Sequence, residues 1–231
     1  MNSFLKYQRT TGFITIFSGI LALGCLFAGA IAVDYNFDAF TNPSLLLNYS
    51  SIKGYLKLSV LLDMLGYYLL LLPIVFYLYQ MQKNLSYWSI LFACCGLLYV
   101  FTGAIGCGLM TGFASELLTS YNTATTEQQY IVKTIFNGPF DAVYHGLWNT
   151  LEVLLAGIWW TGTGFLLIKK YRAIGLFTII TGIITLLDSA GEMAGIKFIT
   201  DLSLNAYLGF SIIWAMWMGI LLFSKKAFTT S

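Results

Sequence analysis

Charge is what this chain has least of. Only 10% of its 231 residues are Asp, Glu, Lys or Arg, against 58% that are hydrophobic. A soluble protein of this size could not cover so much apolar surface, so a water-soluble domain is excluded. Proline is scarce, with three residues, so the apolar runs are seldom interrupted. There is one histidine, His145, which excludes multi-histidine metal motifs such as H-E-x-x-H. No basic run exists, and a net charge of +2 gives no reason to expect nucleic acid as a partner. The four cysteines, Cys25, Cys94, Cys95 and Cys107, all lie inside apolar runs. They read as small buried hydrophobes, with neither zinc nor a disulfide expected.

What remains are long uncharged segments. About 20 residues of helix cross the roughly 30 Å of bilayer hydrocarbon, and six segments qualify: Gly12 to Val33, Tyr55 to Tyr79, Trp88 to Gly112, Ala142 to Ile168, Ala173 to Ile196 and Leu202 to Phe223. The expected fold is therefore all-α, one polytopic domain of six transmembrane helices in a lipid bilayer, with short interfacial helices in the outer connections. The first segment, after Lys6 and Arg9, resembles a signal peptide with Ala30-Ile-Ala32 as its cleavage site. Its length exceeds a typical signal core of about 7–15 residues, so a retained helix is expected.

The connections carry their own signals. Asn42 before Pro43 predicts a helix cap with proline at N1, and Asn48-Tyr49-Ser50 matches a glycosylation sequon. Pro73 predicts a kink in the second span. In the third, Ala104, Gly108 and Gly112 follow the small-xxx-small pattern of close helix packing. Thr126-Glu-Gln-Gln129 resembles a capping box. Ile131, Val132, Ile135 and Phe136 beyond it predict an amphipathic helix lying on the membrane surface, ended by a turn at Asn137-Gly-Pro-Phe.

Basic residues set the expected orientation. Lys6, Arg9, Lys83, Lys169, Lys170, Arg172, Lys225 and Lys226 fall on one side, and Lys53, Lys57, Lys133 and Lys197 on the other. The first side also lacks acids, so both termini are expected to be cytoplasmic.

Four acids interrupt the spans: Asp63, Glu152, Asp188 and Glu192. Ionisable groups in a membrane are costly and mark functional sites by default. Asp63, Glu152 and Asp188 each lie about eight residues from the outer end of their spans, roughly 12 Å deep, so they are expected to converge and to make spans two, four and five mutual neighbours. On an α-helix His145, Asn149 and Glu152 share one face, spaced i, i+4, i+7. Thr178, Thr181, Thr185, Asp188 and Glu192 form a polar stripe on span five, and Tyr67 sits one turn below Asp63. The candidate ligand site is therefore Asp63, Tyr67, His145, Asn149, Glu152, Thr185, Asp188 and Glu192. The threonines have a second reading, as donors to their own i−4 carbonyls.

The order and spacing of several short motifs resemble an uncharacterised family of bacterial six-helix membrane proteins, domain-of-unknown-function family 4386. They are Arg9-Thr-Thr-Gly12, Val60-Leu-Leu-Asp63, Leu72-Pro73, Lys83-Asn84-Leu85, His145-Gly146, the Trp159-Trp160 region and Leu186-Leu-Asp188-Ser189. The family pattern has counterparts of Asp63, His145 and Asp188 and lacks acids at Glu152 and Glu192. The resemblance implies a bacterial inner-membrane protein and no particular activity.

Three functions stay open. The acids could bind or translocate a cation, a proton or a small ligand, although no inverted repeat of the transporter kind is visible. They could instead fix helix register in a subunit that docks a membrane-protein partner. His145, Glu152, Asp188 and Glu192 could also ligate one divalent metal for hydrolysis, though no cofactor is required by any motif.

Overall fold

The computed structural model describes residues 3–224, with the side chains of residues 50–53 left out. Lys225 and Lys226, and the side chains of Ser50 and Lys53, lie outside that description. The described residues form helices joined by short turns, with no strand among them, and six of the helical stretches are long and apolar enough to span a bilayer. Span one is α1 (Ser3–Ala32). Span two is composite: α3 (Lys53–Asp63), a π-helical segment (Met64–Tyr68), a 3₁₀ turn (Leu69–Leu71) and α4 (Leu72–Gln82). Span three is α5 (Trp88–Thr123). Span four begins as α6 (Thr126–Asp141), passes through a π-helical segment (Ala142–Glu152) and ends as α7 (Val153–Leu167). Spans five and six are α8 (Arg172–Ala194) and α9 (Lys197–Ser224). The short α2 (Pro43–Leu46) lies in the first connection.

The burial pattern is inverted relative to a soluble bundle. α1 buries Gln8, Thr11, Thr15 and Ser18 and exposes Phe13, Phe17, Ile20 and Phe27. Only a lipid surround makes that arrangement favourable: outward apolar side chains meet hydrocarbon, and polar ones find partners inside. The Ser18 hydroxyl donates to the Gly66 carbonyl, and the Gln8 amide donates to the Leu222 carbonyl at 2.9 Å.

Each span packs on the next, and span one packs on span six, which closes a ring. Glycines set the closest approaches. Gly157 and Gly164 on α7 face Gly182 and Gly175 on α8, and Gly12 faces Gly219. A Cβ at Gly182 would stand 2.4 Å from the Thr161 backbone nitrogen. The stripe expected to pack in span three does so only at Ala104: Gly108 and Gly112 have nothing within 4 Å of an added Cβ. The glycines that pack are Gly96, Gly103 and Gly106, against Trp159, Tyr68 and Trp148. The bulky rings choose those positions because they point inward.

Several local expectations change. The break in span two precedes Pro73: the π segment and a non-helical Tyr68 (φ −123°, ψ −84°) lie upstream, and the proline begins α4 near N1, where it needs no hydrogen bond. The capping box is one residue earlier than read, between Thr125 and Gln128. No turn follows α6; Pro139 is carried inside the helix, and α6 continues into span four as a stalk. Phe136 and Phe140 are its buried side, while Ile131 and Ile135 remain exposed. α5, at 36 residues, reaches about 54 Å, well beyond a bilayer's hydrocarbon. Its far end, α6 and the first connection enclose a small second core of Val33, Ala39, Leu46, Leu47, Leu118 and Phe136. Asn42 caps α2 as expected, accepting from the Ser44 and Leu45 amides. This cap lies at the end of the bundle away from residues 3 and 224, called the distal end below.

Candidate functional site

At the distal end, between the π segment of span four, the C-terminus of α8 and the start of α9, lies a pocket of about 230 Å³. His145, Asn149, Glu192, Asp201, Lys197 and Tyr144 line it, together with Thr41 and Thr200. α8 stops there because Gly195 takes a left-handed conformation (φ 68°), and the Ile196 amide reaches back to the Gly191 carbonyl at 2.9 Å.

The π winding decides which side chains reach this pocket. Seven residues make nearly two turns of an α-helix but fall well short of two turns of a coil bonded i→i+5. His145 and Glu152 therefore do not share a face, contrary to the α-helical expectation. His145 turns to span five, where its Nδ1 lies 2.6 Å from Glu192 Oε1. Asn149 stays on the pocket side and is buried, lining the pocket together with Tyr144. Glu152 turns into the bundle and accepts a hydrogen bond from the Tyr207 hydroxyl of span six at 3.0 Å. Side chains occupy carbonyls in the wider coil: Thr150 Oγ1 donates to the His145 carbonyl at 2.7 Å, and Ser189 Oγ donates to the Thr150 carbonyl at 3.0 Å.

Asp188 is the exceptional residue. It shares one face of α8 with Gly191 and Glu192, which line the pocket, and lies about 6 Å deeper than Glu192. It is fully buried, and among the described residues neither of its carboxylate oxygens has a hydrogen-bond partner. It is within electrostatic range of Glu192 and Asp201 above it, and Glu152 is within range of both Asp188 and Asp63. The acids thus form a descending series from the pocket wall to the bundle centre.

The remaining candidates have other occupations. Asp63, at the start of the span-two π segment, accepts from Cys107 Sγ at 3.3 Å. Span two packs chiefly on spans one and three and meets span four through the Gln82 amide, which donates to the Thr163 carbonyl at 3.2 Å; Asp63 approaches Glu152 only across the centre of the ring. Tyr67 ties helices together: its hydroxyl donates to the Leu208 carbonyl at 3.2 Å, and its carbonyl accepts from Tyr99 at 2.6 Å. Thr185 donates to the Thr181 carbonyl at 2.7 Å, as Thr178 and Thr181 do to theirs, so the stripe follows its backbone-bonding reading. The four metal candidates are divided between the His145–Glu192 pair, the Tyr207-bound Glu152 and Asp188. Among the described residues no three His, Cys, Asp or Glu side chains are grouped to hold one ion.

Below Glu152 the bundle is filled by aromatic rings. Tyr99, Trp159, Trp160, Tyr207 and Trp214 are all buried; Trp159 and Trp160 stack at 5.4 Å, and Trp160 meets Tyr207 edge-on at 5.8 Å. The polar series therefore reaches the distal end and stops at a ring layer in the other direction.

Sequence reasoning missed Tyr207, Tyr144, Asp201 and Lys197. A signal for Tyr207 was present: Ser203, Tyr207, Ser211 and Trp214 run at helical spacing through span six, and all are buried. No family model matches the chain, and no curated protein or solved structure matches it either.

Proposed function

We propose that this multi-pass membrane protein binds a small polar ligand in a carboxylate-lined pocket that opens to the extracytoplasmic side. The observation that carries the reading is Asp188, fully enclosed and without a donor among the described residues, one helical turn below Gly191 and Glu192 of an open pocket. A buried carboxylate in that condition costs several kcal/mol unless a proton or a ligand answers it, and structural acids normally have their partners close by. The excess of basic residues on the loops at the terminal end supports cytoplasmic termini and an outward pocket. The resemblance to the bacterial six-helix family supports the inner membrane as the location. The aromatic layer beneath Glu152 favours binding from one side over free passage.

Single cysteines at Asn149, Glu192 and Trp160, in a background without native cysteines, test the opening. A membrane-impermeant thiol reagent applied outside should label the first two and spare the third. Labelling of Asn149→Cys and Glu192→Cys only from the cytoplasmic side would overturn the orientation, and no labelling from either side would overturn the pocket.

A second reading, an interaction subunit, has one observation in its favour. α6 exposes Tyr130, Ile131 and Ile135 on the distal cap, apolar side chains on a helix that continues past span four. It is favoured over binding if Asp188→Asn leaves ligand responses unchanged while changes on α6 remove a co-purifying membrane protein.

A further inference from the structure

We infer that the bundle end opposite the pocket, where spans three and four meet, holds one anionic phospholipid, with its phosphate on Lys83, Lys169 and Arg172 and an acyl chain along Trp88, Leu91 and Phe165. Two loops come together there. The Gln82 amide, one residue before Lys83, donates to the Thr163 carbonyl of α7 at 3.2 Å. α5 and α7 run antiparallel: Gly96 meets the Trp159 ring, and Gly162 meets the Phe92 ring. Trp88, one turn beyond Phe92 on the same face of α5, therefore comes about level with Phe165. Lys169 follows Phe165 by four residues, just past the end of α7, and Arg172 opens α8.

Charge selects the occupant. Lys83, Lys169 and Arg172 are exposed, and among the described residues none of them is paired with an acid. None of the chain's ten acids lies on a loop at this end. Lys170 is already engaged, its Nζ 5.8 Å from the centre of the Tyr171 ring. Basic side chains gathered in this way at the end of a span attract anionic headgroups. The apolar neighbours select a lipid over a soluble anion. Trp88, Leu91 and Phe165 are exposed beside the cations, a hydrocarbon-facing strip that a free phosphate cannot use. Tyr87 and Trp88 are also exposed at the start of span three, and these are the residue types that sit at headgroup level. The Trp88 amide donates to Ser86 Oγ at 3.2 Å, which fixes where the helix begins.

Native mass spectrometry of the full chain in detergent tests this with phosphatidylglycerol, phosphatidylcholine and soluble glycerol phosphate. One phosphatidylglycerol should be retained, and phosphatidylcholine, with no net charge, should bind about tenfold more weakly. Lys83→Gln and Lys169→Gln should each weaken phosphatidylglycerol about fivefold. Lys57→Gln and Lys133→Gln, at the distal end, should leave it unchanged. Lys83→Arg with Lys169→Arg keeps both charges and should keep the lipid, which separates a lost site from a damaged fold. Equal retention by wild type and the Lys83→Gln, Lys169→Gln double variant would overturn the site, as would equal binding of the two lipids. Displacement of the lipid by an equal concentration of glycerol phosphate would overturn it in favour of a soluble anion. A dimer mass lost in the double variant, with no dependence on lipid, would overturn it in favour of a second copy of the chain.

Discussion

Replacing Tyr207 with Phe removes one hydroxyl from the centre of the bundle. Tyr207 and Glu152 are each 2% exposed, and their bond, 3.0 Å long, joins span six to span four. Hydrogen bonds between membrane helices average about 0.6 kcal/mol and reach about 1.7. A carboxyl acceptor sealed from water belongs near the top of that range, so the expected loss is about 1.5 kcal/mol. For a chain of this size, that lowers Tm by roughly 3–6 °C. The cause can be isolated with Glu152→Leu, which removes the acceptor. If the bond carries the effect, Tyr207→Phe should cost much less in the Glu152→Leu background, with a coupling of about 1 kcal/mol. Thermal melts in detergent of wild type, both single variants and the double variant measure it. Strictly additive losses would refute the reasoning and reduce Tyr207 to a packing residue.

Gly182→Ala should cost about 1–3 kcal/mol or more, because its Cβ meets the Thr161 backbone at 2.4 Å and forces spans four and five apart. Gly108→Ala, facing open space, should be neutral or gain up to about 1 kcal/mol of helix propensity; equal melting losses for the two would contradict the packing described. Gly195→Ala should cost about 1–2 kcal/mol through its left-handed backbone and reduce ligand binding by moving the pocket wall, read by melting and titration together. Reporter fusions at Ser231 and within residues 113–141 should give cytoplasmic and extracytoplasmic signals respectively, and the reverse would overturn the orientation.

The six spans were legible because hydropathy is summed over about 20 residues and tolerates local irregularity. The acids were legible for the converse reason: Asp63, Glu152 and Asp188 stand alone in apolar runs. What the sequence concealed was winding. Nothing in Ala142 to Glu152 announces a π coil, yet that coil sends His145 to Glu192 and Glu152 to Tyr207. Partner identity was hidden too, because Tyr207 and Asp201 come from a span whose ring position no periodicity reveals. The glycines of span three show the same limit. Their spacing was visible, but which face met a neighbour depended on where Trp148, Trp159 and Tyr68 pointed.

The most direct measurement is an experimental structure in a lipid nanodisc, at a resolution that shows ordered water. Density is expected within hydrogen-bond distance of at least one Asp188 carboxylate oxygen, continuous with the pocket beside Asn149 and Glu192. A carboxylate bonded instead to a protein donor, or turned toward lipid, would contradict it.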